Sequence, residues 1–183
     1  HGGMGFIEET GAAQPLRDVR ITTIYEGTTG IQSNDLIGRK LARDRGATMN
    51  ALLADMERDL AALSAQHASA ASTQAAALEA VAALRAASDS LLAAMAVGPE
   101  RGFAVSVPYL KLCGLVIGGW LMARSADIAA GLLESGDTDR EFLTAKLATA
   151  RFYADQILPQ VGGLQRIVQH GAASVLEVDA ALL

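Results

Sequence analysis

A chain of 183 residues is long enough for one or two compact domains, and its formal net charge of -5 gives no electrostatic reason to expect nucleic acid or an anionic membrane as partner. A hydrophobic share of 51% with only 4% aromatics, much of it alanine, is the composition of a helical protein. The single cysteine, Cys113, excludes an internal disulfide and a cysteine-based zinc site, and His1, His67 and His170 are scattered, so no metal site is read.

In chain order, residues 1–23 are punctuated by Gly and Pro, with a short helical turn expected around 15–18. Arg17 and Asp18 are expected to pair there. A first long helix is predicted from near Thr28, with Ile31, Leu36, Ile37 and Leu41 on its buried side. Its charged end, Arg39 to Arg45, stops at Gly46, where a domain boundary is placed, giving domains 1–46 and 47–183.

Beyond Gly46, Met49, Leu52, Leu53, Met56, Leu60 and Leu63 follow helical spacing, with Asp55, Arg58 and Asp59 largely off the stripe. A Ser-, Ala- and Thr-rich link over 67–73 precedes a helix bearing Leu78, Val81, Leu84, Leu91, Leu92 and Met95. That helix stops at Gly98-Pro99.

Residues 105–133 are apolar nearly all round. The uncharged stretch between Lys111 and Arg124 is well short of the ~20 residues a membrane span needs, so a central buried helix is expected and no span. Gly114, Gly118 and Gly119 are expected to admit a close neighbour, Trp120 to anchor packing, and Cys113 to be a buried, inert thiol. Thr138-Asp139-Arg140-Glu141 reads as a capping box. Phe142, Leu143, Leu147, Ala150, Tyr153 and Ile157 then supply the inward face of a fourth helix, which Pro159 and Gly162-Gly163 kink or interrupt. A last helical segment is expected over 174–181. Residues 47–183 therefore read as an antiparallel four-helix bundle within an all-α chain.

The chemistry-bearing segment is Ile24-Tyr25-Glu26-Gly27-Thr28-Thr29-Gly30-Ile31-Gln32, which sets one carboxylate between apolar residues and a helix start. On residues alone Glu26 reads as a turn glutamate, Thr28 as an N-cap, and Gly2 and Gly3 as an ordinary turn. Three motifs in order change that reading: Gly2-Gly3-Met4-Gly5-Phe6, then Arg17-Asp18, then Tyr25-Glu26-Gly27-Thr28. Together they closely resemble the end of the catalytic domain of acyl-CoA dehydrogenases.

Gly30, together with Gly118-Gly119-Trp120 and the run from Lys146 to Tyr153, is similar to the long bacterial branch that includes 3-methylmercaptopropionyl-CoA dehydrogenases. The resemblance implies the last helix of a catalytic domain followed by an appended helical bundle. The missing upstream domains imply a C-terminal fragment that is inactive alone.

The resemblance also assigns roles. Glu26 becomes the base that removes the α-proton of an acyl-CoA while the β-hydride passes to FAD. Tyr25 and Gly27 become substrate contacts, and Gly2, Gly3, Thr28, Thr29 and Gly30 become FAD contacts. Gly30 replaces the Gln, Glu or Asn common in the broader family, so it offers no side-chain bond. The implied partners are an acyl-CoA, electron-transfer flavoprotein and a second copy in a homodimer, in the bacterial cytoplasm.

The residue types suit this chemistry. A thioester's α-proton is weakly acidic, so its base works best when desolvation raises the carboxyl pKa, and Gly27 allows close backbone approach. The competing readings are an acyl-CoA oxidase-like flavoprotein and a non-catalytic helical dimerisation or interaction module.

Overall fold

The computed structural model describes residues 1–25, 28–63, 68–136, 139–179 and 181, and its described residues are helical without a strand. Nine α-helices follow one another among them: α1 (Ala13–Ile24), α2 (Thr29–Asp35), α3 (Ala47–Ala62), α4 (Ala68–Val97), α5 (Pro99–Phe103), α6 (Ser106–Glu134), α7 (Arg140–Phe152), α8 (Gln160–His170) and α9 (Ala172–Leu176). Two compact units result, His1–Gln32 and Ser33–Leu183.

In the smaller unit, two short 3₁₀ turns, Gly2–Phe6 and Glu8–Thr10, lead into α1. The Thr10 hydroxyl donates to the Met4 and Ile7 carbonyls, both at 2.7 Å, and ties the turns together. Arg17 forks onto Glu8 at 2.8 and 2.9 Å instead of pairing with Asp18, since adjacent residues on a helix diverge. That guanidinium holds the Glu8 carboxyl below its ordinary value. The helix expected only around 15–18 runs the whole length of α1.

The larger compact unit begins at Ser33, and Ile37 and Leu41 lie in its core. Ile31, expected on the buried face, is exposed. Between α2 and α3 the chain forms a π-helical turn, Leu36–Leu41, whose wider ladder is marked by the Ala42 amide donating to the Ile37 carbonyl at 2.8 Å.

Leu53, Met56 and Leu60 from α3 meet Val81, Leu84 and Leu91 from α4, Tyr109, Leu112 and Val116 from α6, and Leu158, Val161 and Val168 around and within α8. The pairs fix direction. Gln74 Nε2 reaches the Leu60 carbonyl while Arg85 reaches Asn50, so α3 and α4 are antiparallel. Ser88 bonds Tyr109 and Ala70 clusters with Ala126, so α4 and α6 are antiparallel. Ala126 packs with Ala150, and Leu115 accepts from Tyr153, which reverses the chain again.

Of the Ala/Ser/Thr stretch expected as a link over 67–73, His67 lies outside the described residues and 68–73 are the first turns of α4, with Thr73 fully buried, because small side chains let neighbouring backbones approach. By length and composition 70–97 and α6 are apolar enough to cross a membrane, and their apolar residues also fill the core of this bundle. At Gly118 and Gly119 a Cβ would collide with Tyr153 and Leu158, whereas at Gly114 it would meet nothing within 4 Å. Two glycines therefore admit a neighbour and the third does not. Trp120 packs on the core, and its indole donates to Asp59 Oδ2 at 2.7 Å.

The fourth arm runs from α7 through a π-helical turn, Tyr153–Ile157, into α8. The Leu158 amide reaches back to the Tyr153 carbonyl at 3.0 Å, so the ladder widens just before Pro159 and continues beyond it. Phe142, expected inward, is exposed and lies 5.2 Å from the Lys146 ammonium, one helical turn on. Thr138, the expected capping residue, lies outside the described residues, and the last helix is the short α9.

Candidate functional site

Tyr25 closes α1 with φ -93 and ψ 42, and Thr28 precedes α2, its carbonyl accepting from the Gln32 amide at 2.7 Å. Tyr25 at the end of α1, Thr28 before α2, and Thr29 and Gly30 in the first turn of α2 are all exposed. Glu26 and Gly27 lie outside the described residues. Gly2 and Gly3 occupy the separate 3₁₀ turn before α1, and both are exposed. Gly2 has φ +54, a conformation glycine adopts without strain. A cavity of about 460 Å³ in this unit is lined by His1, Thr10, Gly11, Ala12 and Pro15, none of them a nominated residue.

The unit's second property is its apolar surface. Met4, Phe6, Leu16, Val19, Ile21, Ile24 and Tyr25 are all more than half exposed, and Phe6 is 86% exposed. These large apolar side chains are exposed within one short segment of the chain. Sequence periodicity does not find it, because α1 carries apolar residues without a single-sided stripe.

The joint leading into α3 is left-handed. Arg45 has φ 55 and Gly46 φ 81, and a Cβ at Gly46 would lie 2.7 Å from Leu92 Cδ1. Asp44 accepts from the Gly46 amide at 3.0 Å, which also donates to the Leu41 carbonyl at 2.8 Å, and from the Thr48 amide at 2.9 Å, satisfying a free donor at the start of α3. The Thr48 hydroxyl first, then these amides, hold the Asp44 carboxyl below its ordinary value.

In the bundle the polar groups are spent on packing. Ser88 donates to the Leu84 carbonyl at 2.8 Å, which leaves its oxygen to accept from Tyr109 at 2.7 Å. Beside them, burial pushes the Cys113 thiol up to about 12. Among the described residues no buried side-chain nitrogen or oxygen lacks a partner, and no group of three His, Cys, Asp or Glu is placed to hold a metal ion.

Residues 47–179 match the family described as acetyl-CoA dehydrogenase C-terminal like, and residues 1–42 match the acyl-CoA dehydrogenase C-terminal domain. The chain belongs to the acyl-CoA dehydrogenase family. Among acyl-CoA dehydrogenases it is 48% identical over 158 residues to 3-methylmercaptopropionyl-CoA dehydrogenase of Ruegeria pomeroyi, covering 86% of this chain and 27% of that protein. It is 31% identical to the broad-specificity linear acyl-CoA dehydrogenase of Mycobacterium tuberculosis, covering 98% of this chain and 31% of that one. A butyryl-CoA dehydrogenase of Syntrophomonas wolfei is likewise 31% identical, over 97% of this chain and 29% of its own length. The chain thus spans about a quarter to a third of the curated relatives it matches. The all-helical fold agrees with this family's C-terminal domains, and the Arg45-Gly46 joint lies between the two matched segments.

Proposed function

We propose that this chain serves an FAD-dependent acyl-CoA dehydrogenase, which oxidises an acyl-CoA thioester between its α and β carbons, with Glu26 as the base that takes the α-proton. The observation carrying this reading is the pair of family matches in chain order, the first of which contains the Tyr25-Glu26-Gly27-Thr28 motif. Tyr25 and Gly27 contact the acyl-CoA. Gly2, Gly3, Thr28, Thr29 and Gly30 face FAD, which accepts the β-hydride when bound. These residues leave room for a ligand: the two threonines are exposed, and a Cβ at Gly2, Gly3 or Gly30 would meet nothing within 4 Å.

The apolar surface of residues 1–32 supports the same assignment. Covered by substrate and further protein, it would exclude water from the base, raise the glutamate pKa and bring it toward working pH. Residues 1–46 then complete a catalytic domain, and 47–183 form an appended bundle that does no chemistry. Electron-transfer flavoprotein as acceptor, a homodimeric assembly and the bacterial cytoplasm complete the proposal.

The test is Glu26→Gln in a protein of the relatives' full length loaded with FAD. Acyl-CoA should still bind, while anaerobic flavin bleaching slows by at least about a hundredfold, the scale of a lost general base. Bleaching at a near-normal rate would remove Glu26 from that role.

A further inference from the structure

At the joint between the two matched segments lies a cavity of about 500 Å³, within the range of small-molecule sites. Its apolar walls are Leu36 and Leu41 from the π-helical turn and Met49 and Leu52 from α3. Arg39, Lys40 and Arg43 also line it, with Asp44 and Thr48 beside them. Three cations therefore face one carboxylate, and that carboxylate is already engaged by Gly46 and Thr48.

Arg39 and Lys40, both exposed, share the half-buried Asp35 at 3.0 and 3.8 Å, which leaves each cation further donors for a second anion. Arg43 makes no ion pair among the described residues. A phosphate site would want polar walls and converging amides, whereas this one is apolar with cations along it. Such a cavity matches a ligand with one alkyl chain and one anionic end. The π turn, a device often found at functional positions, brings Leu36, Arg39, Lys40 and Leu41 to this wall.

We propose that this cavity binds a free, single-chain fatty carboxylate, its chain against Leu36, Met49 and Leu52 and its carboxylate on Arg43 with Arg39 or Lys40. The proposal uses none of the residues nominated around Glu26 and does not depend on that residue's role.

Titrating the 183-residue chain with monomeric sodium decanoate, by calorimetry and amide NMR, tests it. One ligand should bind per chain, shifting signals of Met49 and Leu52. Each methylene removed should weaken binding about fourfold, so hexanoate binds far less tightly. Arg43→Ala should weaken decanoate binding roughly tenfold, and since Arg43 is exposed the variant should fold, as its circular dichroism will verify. Decanol binding as tightly as decanoate, inorganic phosphate competing as well as it, or an unchanged Arg43→Ala affinity would each overturn the proposal. So would failure to bind decanoate while phosphatidylglycerol vesicles sediment the chain through these same cations, since the anion would then be a lipid headgroup.

Discussion

Replacing Gly114 and Gly118 separately by alanine should move stability in opposite directions, although both lie in α6 and the chemical change is the same. In an open helix interior the swap favours folding by roughly 1 kcal/mol, because alanine loses less backbone freedom. A Cβ at Gly114 meets nothing within 4 Å, so that gain should be realised in full. At Gly118 the Cβ falls inside contact distance of Tyr153 Oη and only 2.9 Å from Cζ. The ring must swing aside and give up its 3.1 Å hydrogen bond to the Leu115 carbonyl.

Overpacking costs about 1–3 kcal/mol and the lost bond roughly 1 kcal/mol, which outweighs the propensity gain and leaves a net loss of about 1–3 kcal/mol. For a chain of 183 residues each kcal/mol shifts Tm by about 2–4 °C. Thermal melts followed by circular dichroism should therefore place Gly114→Ala above the parent and Gly118→Ala below it. Adding Tyr153→Phe to Gly118→Ala removes the nearest atom and should recover part of the loss. Equal shifts in the two alanine variants would refute the close-packing account of α6 against the fourth arm.

Three further outcomes follow from the packing. Burial raises the Cys113 thiol from 9.0 to about 12 and the Tyr109 phenol above its ordinary 10.0, so the folded state holds both protons more tightly. Their contribution is complete below the unfolded values and declines as pH rises from 9.0 through the folded ones, so Tm should fall in alkali, less steeply for Cys113→Ala. The native thiol should also resist a disulfide reagent at neutral pH that titrates the unfolded chain, and fast stoichiometric reaction of the native protein would contradict its burial. The lone tryptophan reports on Asp59, which accepts its indole N–H and pairs with Arg124 at 3.2 Å. Asp59→Ala should shift emission to longer wavelength and cost about 1 kcal/mol, while Asp59→Asn keeps an acceptor. Unaltered emission in the alanine variant would show that the contact does not hold the ring.

Where a side chain's place is decided by its own helix, the sequence was legible. Leu53, Met56 and Leu60 are spaced for one face and are buried together, and Gly98-Pro99 ends α4 because proline cannot donate to the ladder. Where a partner decides, it was not. Gly114 and Gly118 read alike as small residues one turn apart, yet only one has a tyrosine across from it. Phe142 and Leu143 are both apolar neighbours about a hundred degrees apart around α7, so only one can point inward, and the choice falls to Leu143. The two π turns leave no mark in hydrophobic spacing because each is one residue of slack in a ladder that otherwise continues.

The same division separates the two candidate sites. A motif announces the proposed Glu26 site because its nominated residues, from Tyr25 to Gly30, are consecutive in the chain, and so it is recognisable before any packing is known. The cavity at the joint draws Leu36 and Arg39 from one side of Gly46 and Met49 and Leu52 from the other. No short pattern spans those residues. Only the left-handed Arg45-Gly46 bend, held by Asp44 and closed over Leu92, folds them onto a common wall, so a site of this kind emerges from the joint's geometry and not from either segment read alone.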